Sequence, residues 1–212
     1  MEIPSTFNEE LFVDYVVQNS DKETAINVLS QHIGEYQNYS TRQPMITEFE
    51  YKAHQFCAEN GTASGADLNL IWTNLSKEYG GDSIEFYDED SAEWAYINHI
   101  YLTNNYYTFN YAVSKAITLS LFKQYREDPE IFNKNYIAYL SACTTIPPEE
   151  KLKKYFGIEI NRQLFEDAMD VVELRIQELN ELEAEMSAND SYSAAKNLNT
   201  SGFFWIGESK NK

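Results

Sequence analysis

The chain has 212 residues, 43% of them hydrophobic, enough for one domain with a real core and a tail. Its 34 acids against 16 bases leave a net charge of −18, a balance that repels phosphate backbones and anionic lipid surfaces and argues against nucleic acid and membrane as partners. No apolar run approaches the roughly 18 residues a bilayer span requires and nothing resembles a signal peptide, so a cytoplasmic location is expected.

Helical periodicity dominates the chain. From Ser5 to Asn19, Phe7, Leu11, Phe12, Tyr15 and Val16 recur at steps of three and four and predict one core-facing stripe. A second helix is predicted from about Lys22 to Gln37, with Ala25, Ile26, Leu29 and Ile33 inward and Asp21 near its start. Pro44 opens a third, with Ile46, Phe49, Ala53, Phe56 and Cys57 on its apolar face, and Asn60-Gly61 ends it. Ser64 or Asp67 caps a fourth, Leu68 to Tyr79, which Gly80-Gly81 stops. Asp82 to Leu102 is acidic, aromatic and weakly periodic, the pattern of an ordered loop with a short strand at Ser83 to Tyr87 at most. Helices then run from about Asn105 to Arg126, from Glu130 to Ser141 after the Asp128-Pro129 break, and from Pro147 to Gly157. The last, Arg162 to about Met186, puts Phe165, Ala168, Met169, Val172, Ile176, Leu179 and Leu182 on one stripe. Beyond Asn189 the chain turns polar and loses period, so a disordered or loosely docked tail is expected, its Phe203-Phe204-Trp205-Ile206 cluster without an assigned role. The architecture predicted is all-α.

Glu2 and Glu9 stand seven residues apart and fall on one helix face. Such a pair suits a metal ligand and the carboxylate that supports a neighbouring ligand, while Pro4, Ser5 and Thr6 equally suit a capped, solvated first turn. The three histidines, His32, His54 and His99, have no partner at metal-site spacing, and no H-E-x-x-H occurs. His32 and His54 lie on predicted helices, where a satisfied, partly buried imidazole is the simpler reading. His99 opens the run His99-Ile100-Tyr101-Leu102-Thr103-Asn104-Asn105-Tyr106-Tyr107-Thr108-Phe109-Asn110-Tyr111. Its phenols and imidazole either line one wall, where they would bond a peptide carbonyl or an oxyanion, or pack along a helix with hydroxyls at the surface. Cys57 and Cys143 lack a C-x-x-C partner and read as small buried hydrophobes. There is no G-x-S-x-G and no phosphate-binding glycine loop.

Several segments together resemble the oligoendopeptidase F branch of the zinc metallopeptidases related to thimet oligopeptidase. They are Glu2-Ile3-Pro4-Ser5-Thr6-Phe7-Asn8-Glu9-Glu10-Leu11, Arg42-Gln43-Pro44-Met45-Ile46-Thr47-Glu48-Phe49-Glu50, Tyr79-Gly80-Gly81-Asp82, Trp94-Ala95-Tyr96-Ile97-Asn98-His99, Tyr106-Tyr107 with Tyr111-Ala112, and Glu150-Lys151-Leu152-Lys153-Lys154. In order and spacing the likeness covers roughly residues 2 to 184. It implies a helical catalytic domain closing over a peptide cleft, hydrolysis of short peptides, and zinc held by the two histidines of H-E-x-x-H and one downstream glutamate. By motif match Glu2 is that glutamate, and Glu9 falls where the family keeps a carboxylate that orients a zinc-bound histidine. His99, Tyr101 and Tyr106 fall where family members grip the substrate backbone and stabilise the tetrahedral intermediate. Tyr101 is an approximate placement because that gap varies, and Phe109 stands where a tyrosine hydroxyl is expected; one oxyanion donor is worth on the order of a hundredfold in rate.

The H-E-x-x-H helix of such enzymes lies upstream of the glutamate that Glu2 matches. The expectation is therefore the C-terminal part of a catalytic domain over residues 1–188 with a tail at 189–212, inactive alone, binding Zn2+ weakly or not at all and needing an N-terminal fragment that carries H-E-x-x-H. The alternative is a non-catalytic helical interaction module, or half of a split peptidase, whose first helix and tyrosine-rich face await a complement.

Overall fold

The computed structural model describes residues 3–83, 85–102 and 105–188. Its elements are α1 (Ile3–Asn19), α2 (Lys22–Gln37), α3 (Gln43–Asn60), α4 (Gly65–Gly80), α5 (Asn98–Leu102), α6 (Phe109–Glu127), α7 (Pro129–Ser141), α8 (Pro148–Phe156) and α9 (Arg162–Ala188). A π-helical turn spans Asn38–Arg42, and 3-10 turns span Gly81–Ser83 and Asp88–Tyr96. The chain is all-α, and no strand occurs among the described residues; of the short strand suggested at Ser83 to Tyr87, Ser83 closes a 3-10 turn, 85–87 form no strand, and Ile84 lies outside the described residues. Glu2 and the tail from 189 lie outside the described residues.

Local chemistry explains most boundaries. The Asp21 carboxylate accepts the Thr24 N–H at the start of α2, and at α4 Ser64 is the cap while Asp67 returns a bond to the Ser64 amide. Gly61 (φ 86°) and Gly157 (φ 69°) close α3 and α8 in conformations that a side chain resists. Two differences from expectation have a clear physical cause. The chain does not break between α2 and α3; Pro44 lacks the N–H that an α-helix would give to the Ser40 carbonyl, and the π turn absorbs the mismatch, leaving one rod from Lys22 to Asn60. In the other, α6 begins at Phe109 rather than Asn105, because Tyr106 sits at φ 60°, which no α-helix accommodates.

Two apolar cores hang on this rod. One gathers Phe7, Leu121, Phe122, Phe132, Leu152, Phe156 and Val171 from α1 and α6 to α9. The other holds Met45, Ile46, Phe49, Trp72 and Leu75 from α3 and α4, with Trp94, Ile97 and Ile100 packed on it and Phe49 edge-on to Trp72 at 5.2 Å.

The burial phase of α1 and α9 corrects the sequence reading. On α1, Phe12 and Tyr15 are each 65% exposed, and the inward face is Thr6, Phe7, Glu10, Val13 and Asp14. On α9, Ala168 and Val172 face in as the stripe has them, but Phe165, Met169 and Ile176 face out, and Leu164, Val171 and Arg175 take inward positions. A buried polar seam sets both rotations. Thr6 Oγ1 meets Thr118 Oγ1 at 2.7 Å, Lys115 Nζ donates to Glu10 Oε1 at 2.6 Å, and the Tyr36 hydroxyl donates to Glu10 Oε2 at 3.1 Å. Arg175 Nη1 donates to Asp14 Oδ1 at 3.2 Å and to Glu178 Oε2 at 2.8 Å. Paired charges tolerate burial where lone ones do not, so these residues take inward positions that an apolar count assigns to others. Cys143 is also corrected: it is exposed, at φ 43°, while Cys57 is half-buried.

Candidate functional site

The loop between the two cores brings an imidazole and two phenols together. His99, on α5, stacks on Tyr107 with centroids 5.7 Å apart and planes 16° apart, and Tyr111, on the first turn of α6, meets the same ring edge-on. The Tyr111 hydroxyl lies 3.3 Å from His99 Nε2, the tautomer deciding which of them donates. Tyr107 and Tyr111 also touch each other edge-on, so the three rings form one wall. Successive i→i+3 bonds from Tyr106 to Tyr111 wind the approach to α6 tightly and aim Tyr107 and Tyr111 to one side.

Tyr106 turns the other way. Its left-handed backbone lets its N–H donate to Glu50 Oε2 at 2.9 Å, and its ring stands 6.0 Å from His54. Glu50 is buried on α3, with His54 Nε2 3.9 Å from its other oxygen. A second tie, Thr47 Oγ1 to Thr108 Oγ1 at 2.8 Å, fixes the same turn to α3. Tyr101 is exposed on α5, two residues and about 200° around the helix from His99. The structure thus groups His99 with Tyr107 and Tyr111, and separates it from Tyr106.

Glu9 is exposed on α1, and its charge is felt at Tyr39, a residue of the π turn. Burial raises the Tyr39 hydroxyl's pKa, and the charge of Glu9 pushes it further, with contributions from Glu35 and Tyr111. Lys115 Nζ lies 5.1 Å from the ring centres of both Tyr36 and Tyr39 and ties them to the buried Glu10. Burial alone would raise the Glu10 carboxyl, but the His32 ring and Lys115 outweigh it and hold the group at about 2. His32 is a buried core imidazole, as its helix position suggested, with Nε2 3.0 Å from Glu10 Oε1 but outside hydrogen-bond geometry. His54, by contrast, is exposed.

Among the described residues, no group of three or more His, Cys, Asp or Glu is close enough to hold a metal ion. The described donors therefore do not fit zinc by themselves, and the carboxylate implied as its ligand, Glu2, is outside them. Tyr39, Tyr107 and Tyr111 were not singled out by the sequence as site residues. The available signal was the i, i+4 spacing of Tyr107 and Tyr111, which places both rings on one side.

A helical scaffold with this wall and these matching segments has a recognisable kinship. Residues 1–171 match peptidase family M3, and the chain belongs to that family. It is 28% identical over 183 residues to the oligopeptidase PepF of Bacillus subtilis, covering 85% of this chain and 27% of that protein. It is equally similar, 28% over 183 residues, to the chromosomal oligoendopeptidase F of Lactococcus lactis subsp. cremoris, covering 85% of this chain and 30% of that one. The crystal structure of oligoendopeptidase-F from Enterococcus faecium superimposes with a TM-score of 0.74 at 30% identity, over 87% of this chain and 35% of that chain. The chain thus spans about three-tenths of the length of the curated relatives it matches.

Proposed function

We propose that residues 1–188 are the C-terminal part of the catalytic domain of an oligoendopeptidase F-like zinc metalloendopeptidase that hydrolyses short peptides in the cytoplasm, with 189–212 a tail. The observation that carries this reading is the His99, Tyr107 and Tyr111 wall in a chain of family M3. The Tyr111 hydroxyl, against His99 Nε2, supplies a hydrogen bond to a substrate carbonyl oxygen and to the oxyanion that replaces it, and Tyr107 holds the imidazole by stacking. Tyr106, and Tyr101 at the exposed edge, contact the peptide further out. Glu9 orients a metal-binding imidazole and Glu2 supplies a carboxylate to the metal, the histidines coming from an H-E-x-x-H segment absent from this sequence. Zinc held by Glu2 and those histidines would supply a Lewis acid that lowers the pKa of a bound water.

The chain alone is expected to be inactive. Purified chain incubated with zinc and a quenched fluorescent peptide should give no chelator-sensitive turnover, and adding a polypeptide that carries H-E-x-x-H should create it; turnover by the chain alone, or none with the added segment, contradicts the reading. A second reading, a non-catalytic helical interaction module, is favoured by one observation: the outward Phe12 and Tyr15 of α1. It predicts a stable complex with a partner and no turnover under either condition.

A further inference from the structure

Beside Tyr106 lies a cleft of about 510 Å³ walled by Pro44 and Tyr51 from α3, Phe109 and Ala112 from α6, Phe165 from α9, and Tyr106 itself. Its size is that of a small-ligand site. Three of its aromatics, Tyr51, Phe109 and Phe165, are 57%, 52% and 39% exposed, an unusual gathering for a surface so rich in carboxylates. The remaining two lining residues are polar, and both are engaged elsewhere. Thr47 donates to the Gln43 carbonyl and meets Thr108, while Glu48 accepts from Tyr79 at 2.7 Å and pairs with Lys52 at 2.8 Å. The wall thus favours apolar contact over new hydrogen bonds.

We infer that this cleft is a specificity pocket that takes one large apolar side chain, aromatic or leucine-like, of the peptide held on the His99, Tyr107 and Tyr111 wall. The inference rests on the peptide-gripping reading above. What commits it to this occupant is continuity. Tyr106 and Tyr107 are adjacent in sequence, and with Tyr106 at φ 60° the Tyr106 ring stands beside His54 and lines the cleft while the Tyr107 ring stacks on His99. Successive side chains of an extended peptide point in alternate directions, so a backbone bonded at Tyr111 presents a neighbouring side chain toward Tyr106 and the cleft it lines. An anionic side chain entering there would meet the Glu48 carboxylate and gain no partner.

The test uses the full chain and three blocked peptides, acetyl-Ala-Phe-Ala-amide, acetyl-Ala-Ala-Ala-amide and acetyl-Ala-Asp-Ala-amide, followed by two-dimensional NMR. The Phe peptide should bind about tenfold tighter than the Ala peptide, with the Asp peptide weakest, and should shift Thr47, Tyr51, Ala112 and Phe165 together with His99 and Tyr111. Phe165→Asp should abolish that preference, and so should Tyr51→Ala; both positions are solvent-facing, and unchanged circular dichroism confirms that each variant is folded. Equal affinity for the three peptides overturns the pocket. Shifts at His99 and Tyr111 without shifts in the cleft overturn it while leaving the peptide wall standing, whereas silence at both removes the wall as well. Cleft shifts that follow protein concentration without peptide would give the surface to a second copy and also overturn the proposal.

Discussion

Glu10 is fully buried, yet its carboxyl is held at about 2 instead of the ordinary 4.5 because His32 and Lys115 outweigh the cost of burial. A group whose folded pKa is depressed adds stability above its unfolded value and loses it as pH falls. Glu10 therefore contributes on the order of 3 kcal/mol, full above about pH 5 and gone near pH 2. Glu10→Gln should cost about 3 to 5 kcal/mol in urea unfolding at pH 7, because it strands Lys115 in the core, and the gap to the parent should close as pH approaches 2. Tyr111→Phe makes a contrasting case. It keeps the ring and removes one partly buried hydroxyl, so stability should change by about 1 kcal/mol or less, while turnover of the chain mixed with an H-E-x-x-H segment should fall about a hundredfold, read by the quenched peptide assay. The sequence placed His99 at the head of a tyrosine run, and the structure groups it with Tyr107 and Tyr111. The sequence could not say which tyrosines face it, since that depends on the single left-handed residue at Tyr106.

At the scale of elements, the helices were legible wherever local chemistry decides them. Asp21, Ser64, Gly61 and Gly157 mark ends that follow from capping alone. The rotations of α1 and α9 were not legible. An arginine reads as a surface residue, and nothing local shows that Arg175 will be 1% exposed between Asp14 and Glu178 with its guanidinium 4.4 Å from the centre of the Phe122 ring. Arg175→Ala should thus cost about 3 to 5 kcal/mol in chemical denaturation. Met169→Ala, on the face that periodicity assigned to the core, should cost about 0.5 kcal/mol or less by the same measurement; a larger loss there would mean that the periodicity had the phase right.

For the whole molecule, the charge of −18 is a standing repulsion spread over the surface, only locally relieved by pairs such as Lys22 with Glu185. Raising sodium chloride from about 20 mM to about 500 mM shortens the screening length severalfold, and the melting temperature should rise by several degrees; a fall would show that the buried pairs are more exposed to salt than the seam implies. The two cores also bear on the site. His99 is on α5 beside the core of α3 and α4, while Tyr111 belongs to α6, a wall of the other. The rod that joins these bodies is out of α-helical register at one place, the π turn that carries Tyr39. Such a joint is the softest point of a long helix, and a slight swivel there would change the gap between imidazole and phenol before any hydrophobic packing was lost. The proposed grip on a bound backbone would in that sense be a caliper: its jaws are the two apolar cores, and its pivot is an extra residue that a proline made necessary.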